Sequence, residues 1–447
     1  MSITILGLGP GDPQALTLEA RDEIANATEI FLRTREHPTV AALPKHLRVH
    51  SFDHLYEKWD SFDAIYSAIA DDIVKRGAKR AVLYAVPGHP LFGETSVQKI
   101  LAQARDKNIP TRVVAGLSFV DAACAALALD PLARGLQVSD ATDLAQQHFP
   151  QLDPDQPALV GQLYSRAVAS DCKLTLLVLF PPEHAITLID AAGTPEQRIV
   201  NLPLAELDHS EHWATNEDRA TIKDRPYLMT TLYVPPLPRP SSFDALAEIV
   251  AHLRSPSGCP WDREQTHQSL RGNFLEDAYE VMEALDEDDM PHLREELGDL
   301  MLHILLQTQI AQESGEFLLT DVVAEIAAKL VRRHPHVFGD VQVSGTADII
   351  ANWEMIKQAE KAGKPKKKAS MPRGLPALVL AKKVARKKKE AREIREIAAQ
   401  VEKLKRAKNR EKALGEILYE IAAYAAAKGI DAESALRTVA RERMNHD

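Results

Sequence analysis

Two patterns of apolar positions divide the chain. From residue 1 to about 234, short β-branched runs alternate with longer stretches of helical spacing. Residues 3–6, 81–85, 111–114 and 174–179 read as strands, which predicts an α/β region with a largely parallel sheet. The stretch "VPPLPRPSSF" at 234–243 is rich in proline and serine and reads as a linker over 235–242. Beyond it the strand pattern nearly disappears. Apolar spacing predicts helices at 243–254, 267–287, 291–314, 320–333, 347–361, 376–407, 412–427 and 431–443, an all-α half.

Within that half, "FLEDAYEVMEALDEDDMPHLREELGDLMLHILLQ" at 274–307 reads as two helices joined by a short loop. On the first, Leu270, Phe274, Ala278, Met282 and Leu285 form an apolar stripe. Glu276 and Glu280 face away from it, and Asp277 flanks it. On the second, Glu296 and Asp299 stand one turn apart, and His303 and Gln307 continue their row. Beyond Asp299 this helix is apolar almost all round, which predicts burial and puts the acid pair at the edge of a core. Acids at helical spacing repel, and a buried carboxylate needs a partner or a metal. Four carboxylates on two adjoining helices suit a hard cation, Mg²⁺ or Mn²⁺, which takes oxygen ligands. A single ExxE on a helix is an ordinary solvated face; two such pairs on neighbouring helices shift the balance towards a site.

Composition adds compartment and charge. The 447 residues are 45% hydrophobic, enough for two or three domains. No stretch approaches the ~20 apolar residues of a membrane span. Met1 runs straight into "SITILGLGPGDP", so no signal segment is expected. Three lone cysteines, without CxxC spacing, argue against a disulfide framework and fit a cytoplasmic protein. The net charge of -10 hides a basic segment: 361–412 carries 20 Lys+Arg against 5 Asp+Glu. Its lysines lack the interleaved aromatics that stack on bases, so nucleic acid is not the expected partner. The same segment holds an echo, "ALGEILYEIAA" at 413–423 against "ELGDLMLHILL" at 296–306. We read 362–447 as a basic helical segment; the echo is either a worn second copy of the acidic helix or the common helical run of LG followed by an acid.

The flanking stretches "LRSPSGCPWDREQTHQSL", "KLVRRHPHVFGD" and "NWEMIK", with the EDxxE and ExxD pairs, resemble the MazG family of nucleoside triphosphate pyrophosphohydrolases. The resemblance spans about 253–357, within a helical domain placed at 243–361. It implies Mg²⁺-dependent hydrolysis of nucleoside triphosphates to monophosphate and pyrophosphate, on an all-α homodimer, in clearing the nucleotide pool. By position, Asp277, Glu280, Glu296 and Asp299 match the family's metal ligands; Asp277 replaces a more common Glu. Glu276 or Glu280 is implied as proton acceptor. Lys329, Arg332 and Arg333 match its basic helix, and Arg333, Trp353, Lys357 and Lys329 its nucleotide contacts.

In the first half, three glycine-bearing loops follow predicted strands: "ILGLGPGDP", "AVPGHPLFGE" and "VAGLSFVDAA". Loops at strand carboxyl ends form the ligand crevice of α/β sheets. In this order they resemble the tetrapyrrole (class III) methylases, which bind S-adenosylmethionine. The resemblance covers 1–234 and implies cofactor contacts at Gly9, Pro10, Gly11, Asp12, Gly88, His89, Pro90 and Ser118. His89 stands where the family often has Asp, and Glu94 closes a loop where many members carry Arg. A methyltransferase with a regulatory helical domain is the alternative to the hydrolase reading.

Overall fold

The computed structural model describes residues 1–59, 61–213, 230–362, 375–388, 390, 393–404 and 407–444. Its strands are β1 Ser2–Gly7, β2 Glu29–Leu32, β3 Arg48–Ser51, β4 Ala81–Val86, β5 Thr111–Val114, β6 Gln137–Asp140, β7 Ala158–Gly161, β8 Ala185–Asp190, β9 Arg198–Pro203 and β10 Thr230–Val234. The helices of this half are α1 Leu18–Asn26, α2 Asp53–Lys58, α3 Phe62–Gly77, α4 Thr95–Asp106, α5 Phe119–Leu127, α6 Ala141–Leu144 and α7 Arg166–Leu176.

The first sheet has the order β3-β2-β4-β1-β5. Every pairing in it is parallel, as the long helical connections require. Its core is Ile3, Ile5, Tyr84 and Val86 against Ile65, Ile69, Ile73 and Ile100. The second sheet, β6-β7-β10-β8-β9, is mixed. Only β6 and β7 run parallel; β8 pairs antiparallel with both β9 and β10. The short connection from β8 to β9 allows no crossover helix, so these neighbours must turn back.

One expected strand is a helix. Residues 174–176 end α7, which Ser165 caps by accepting from the Val168 N–H. Ala169, Cys172 and Leu176 are buried at three- and four-residue spacing, and that period outweighs the β-rich look of "LTLLVLF". The proline-rich linker is tied down: Asp155 accepts from the N–H groups of Ser241 and Ser242, and Leu237 donates to the Pro154 carbonyl.

The remaining helices are α8 Phe243–Arg254, α9 Pro260–Glu264, α10 Arg271–Glu287, α11 Met290–Glu313, α12 Leu319–Arg333, α13 Pro335–Phe338, α14 Thr346–Ala362, α15 Ala377–Lys388, α16 Ile394–Leu404, α17 Arg410–Ala427 and α18 Ala432–Met444. The helix expected over 376–407 is two helices. Arg386, Lys387 and Lys388 fill the last turn of α15, where the negative end of the helix dipole favours cations. Residues 389 and 391–392, and most of the basic stretch 361–374, lie outside the described residues. The chain divides into two units, Met1–Leu319 and Thr320–Asp447. In the first, α11 packs on α8 and α10 around Val250, Leu270, Leu305, Leu306 and Ile310. In the second, α15 and α16 pack on α17, burying Ala381, Ala385, Ile397 and Ile417. No helix among the described residues is long and apolar enough to cross a membrane.

Candidate active site

The acidic helices form a hairpin through two aspartates. Asp288 ends α10 in the left-handed conformation (φ 56°), and Asp289 caps α11 by accepting from the His292 N–H. Asp tolerates the first position and is a strong N-cap at the second. The turn lays α10 against α11 and brings Glu280 beside Glu296.

Glu296 is 7% exposed. One of its oxygens lies 3.2 Å from His292 Nε2, and the other is buried with no hydrogen-bond partner. Glu280 lies next to it. Its carboxyl is pushed up by desolvation, then by the charges of Glu296, Glu276 and Asp277. Asp277 takes a different partner, buried His303, at 2.8 Å. The His303 ring also meets Phe274 edge-on at 5.5 Å. Glu276 and Asp299 are exposed. Among the described residues no three His, Cys, Asp or Glu side chains form a ready-made metal cage. The Glu280–Glu296 contact and the orphaned Glu296 oxygen are what a hard divalent cation would resolve, and the donor set fits one.

The apolar stripe is buried only in part. Leu270 and Ala284 are buried, but Phe274, Met282 and Leu285 are exposed, as are Leu297, Met301 and Ile304 on α11. The burial expected of these rows holds for Leu270, Leu305 and Leu306 but not for Phe274, Met282, Leu285, Met301 or Ile304, because this chain covers only one side of the hairpin.

In the second unit, Arg332 and Arg333 both donate to Glu360 on α14, at 2.8 and 2.6 Å. Those two guanidinium groups hold the Glu360 carboxyl down at about 2. Two cations lie over the Trp353 ring, Lys357 Nζ at 4.4 Å and the Arg333 guanidinium at 5.6 Å from its centre. Lys329 is half-buried on α12. Sequence reasoning missed Glu360, although Trp353, Lys357 and Glu360 share one helix face at four- and three-residue spacing.

In the α/β half, the first two glycine loops meet. Gly9 and Gly88 exchange backbone hydrogen bonds of 3.2 and 2.9 Å, both at positive φ. They border a cavity of about 400 Å³ whose lining includes Gly9, Pro10, Gly88 and His89. Gly11, Asp12, Pro90 and Ser118 are not in that lining. Asp12 caps a short helical turn by accepting from the Gln14 N–H. Ser118 is spent on a capping box with Asp121 at the start of α5. The rest of the wall includes Arg33, His37 and Tyr56 from outside the motifs, beside Glu94 of the second loop. Arg33 and Glu94 pair at 3.4 Å beside His37 and Tyr56, all lining the cavity. Burial, reinforced by Arg33, holds the His37 ring down at about 4.

Residues 2–208 match the model for Tetrapyrrole (Corrin/Porphyrin) Methylases, and 265–338 that for the MazG nucleotide pyrophosphohydrolase domain. The protein YabN of Bacillus subtilis (strain 168) is 38% identical over 388 residues, 86% of this chain and 76% of that protein. The chain belongs to the tetrapyrrole methylase–MazG fusion family. Its MazG part is 43% identical over 150 residues to a nucleoside triphosphate pyrophosphohydrolase of Escherichia coli (strain K12), covering 33% of this chain and 57% of that enzyme. A nucleoside triphosphate pyrophosphohydrolase/pyrophosphatase MazG of Thermotoga maritima is 38% identical over 215 residues, 45% of this chain and 82% of that protein. The fusion thus carries a hydrolase domain of the anhydride-cleaving class behind a methylase-type domain.

Proposed function

We propose that the helical half of this fusion hydrolyses nucleoside triphosphates to monophosphate and pyrophosphate with Mg²⁺, or Mn²⁺ in its place, and so clears the nucleotide pool. The observation that supports it most is Glu280 beside Glu296, with one buried Glu296 oxygen unsatisfied. In this reading Glu280, Glu296, Asp277 and Asp299 hold the cation. A divalent ion there supplies charge neutralisation for the phosphates and acidifies a water. His303 orients Asp277 from outside the ligand set. Glu276, exposed and one turn from Glu280, accepts the proton of the attacking water. Lys329, Arg332 and Arg333 take charge on the pyrophosphate. Glu360 competes for the two arginines in the resting chain. Trp353 offers a stacking face to the base and Lys357 a cation beside it.

The division we propose is a methylase-type domain at 1–234, a linker at 235–242, a hydrolase domain at 243–361 and a basic segment at 362–447. The first binds S-adenosylmethionine in the 400 Å³ cavity at Gly9, Pro10, Gly88 and His89. Gly11, Asp12, Pro90 and Ser118 shape those loops. The exposed apolar rows of α10 and α11 support a homodimer through the helical half.

The test is a product-resolved nucleotide panel with and without Mg²⁺. Monophosphate plus pyrophosphate is the expected outcome, and Glu296→Gln or Asp299→Asn lowers turnover at least a hundredfold with the fold intact. Diphosphate plus phosphate, or full activity in both variants, overturns the assignment.

A further inference from the structure

The cavity of the α/β half carries the same sign of charge as its family's named substrates, and so disfavours them. Arg33 is the one Lys or Arg among its described lining residues, and it is already paired with Glu94. Asp140 and Asp143 also line it. Burial pushes the Glu94 carboxyl up, with Arg33 opposing. Ionised or protonated, it leaves the acids ahead of the single cation. Residues 214–229, which precede β10, balance in sequence, with three acids against three bases. His37 enters neutral, and His89 accepts from the Leu91 N–H on Nδ1.

Two aromatic groups form the walls. Phe62 stacks on Tyr66 at 5.8 Å and meets Tyr164 edge-on at 5.9 Å. Phe92 meets Phe119 edge-on at 6.2 Å. Ring faces carry negative potential, attract cations and take flat ligands. Porphyrin-type tetrapyrroles are broad macrocycles fringed with carboxylates. Each carboxylate brought into such a site needs a cation or several donors.

We propose that this cavity, beside S-adenosylmethionine, admits a second flat ligand that is uncharged or cationic, and that it excludes the polycarboxylate tetrapyrroles for which its domain family is named. The proposal rests on S-adenosylmethionine binding at Gly9, Pro10, Gly88 and His89, which the heat of S-adenosylhomocysteine alone checks separately, and is independent of pyrophosphate release by the helical half.

Three probes on one flat skeleton test it by calorimetry on the full chain saturated with S-adenosylhomocysteine: tryptamine (cation), tryptophol (neutral) and indole-3-acetate (anion). Uroporphyrin III serves as the polycarboxylate. Tryptamine and tryptophol are expected to bind at least tenfold more tightly than indole-3-acetate, and uroporphyrin III to give no saturable heat. Phe92→Ala weakens all the indoles and so locates them. Asp140→Asn with Asp143→Asn narrows the gap between tryptamine and indole-3-acetate; Asn keeps the α6 cap that Asp140 provides. The idea is overturned if indole-3-acetate binds as tightly as tryptamine, if uroporphyrin III saturates the site, if Phe92→Ala changes nothing, or if no indole binds. Pyrophosphate release, measured on the same samples, reports separately on the hydrolase reading.

Discussion

His37 is the residue whose protonation the fold controls most directly. It is 2% exposed and neither ring nitrogen has a partner of normal geometry. Its pKa falls from 6.5 to about 4, from burial first and then from Arg33. The unfolded chain therefore binds a proton that the folded chain refuses between those values. Stability from this group is full above pH 6.5 and is lost as pH falls towards 4, by about 3 kcal/mol in all. Hydrogen exchange of the peptides around residue 37 should lose protection over that window, and His37→Gln should remove the extra slope. An unchanged slope in the variant would place the acid sensitivity elsewhere. Neither Arg33 nor His37 was legible in the sequence, because no motif surrounds them. They become site residues only because β2 runs beside β4, where the Arg33 N–H donates to the Ala85 carbonyl. Gly9, Pro10, Gly88 and His89 were legible, because a backbone that must come close leaves glycines behind.

Among the elements, the α10–α11 hairpin sets like charges side by side and the glycine loops bring backbone close. Glu280 and Glu296 repel when no cation lies between them. Magnesium should then raise the melting temperature of the helical half, with a stabilisation of about 2.7 kcal/mol at a hundredfold excess over Kd. Glu296→Gln should raise the metal-free melting temperature and abolish the magnesium shift; a full shift in the variant would remove Glu296 from the ligand set. At the loops, a Cβ on Gly7 would come within 2.5 Å of the Gly88 carbonyl and 2.7 Å of the Gly116 N. Both contacts are with backbone that cannot step aside. Gly7→Ala should cost about 1–3 kcal/mol by overpacking and weaken S-adenosylmethionine binding in calorimetry. Helix period located these elements to within a few residues. The expectation failed for 174–179, where β-rich composition was weighed above the helical spacing of Ala169, Cys172 and Leu176, and for 376–407, where two helices stand in place of one.

At the scale of the molecule, the unpaired feature is apolar surface. Leu285, Leu297 and Ile304 are 51%, 47% and 44% exposed on the acidic hairpin. Rows of this kind are covered in oligomers. Sedimentation of the full chain should give a dimer, and Leu285→Asp with Ile304→Asp should shift it towards monomer. A monomer in the unaltered chain at micromolar concentration would refute the assembly.

Local information set the division into an α/β and an all-α half, the acid pairs and the glycine loops. Each depends on spacing along one helix or on what a single turn permits. Tertiary structure decided which acids meet, that Asp277 is turned to His303, that Glu360 takes the two arginines, and that Arg33, His37 and Glu94 share a cavity wall. Those choices join residues tens of positions apart, and only the folded chain brings such residues within the few ångströms over which charge and hydrogen bonding act.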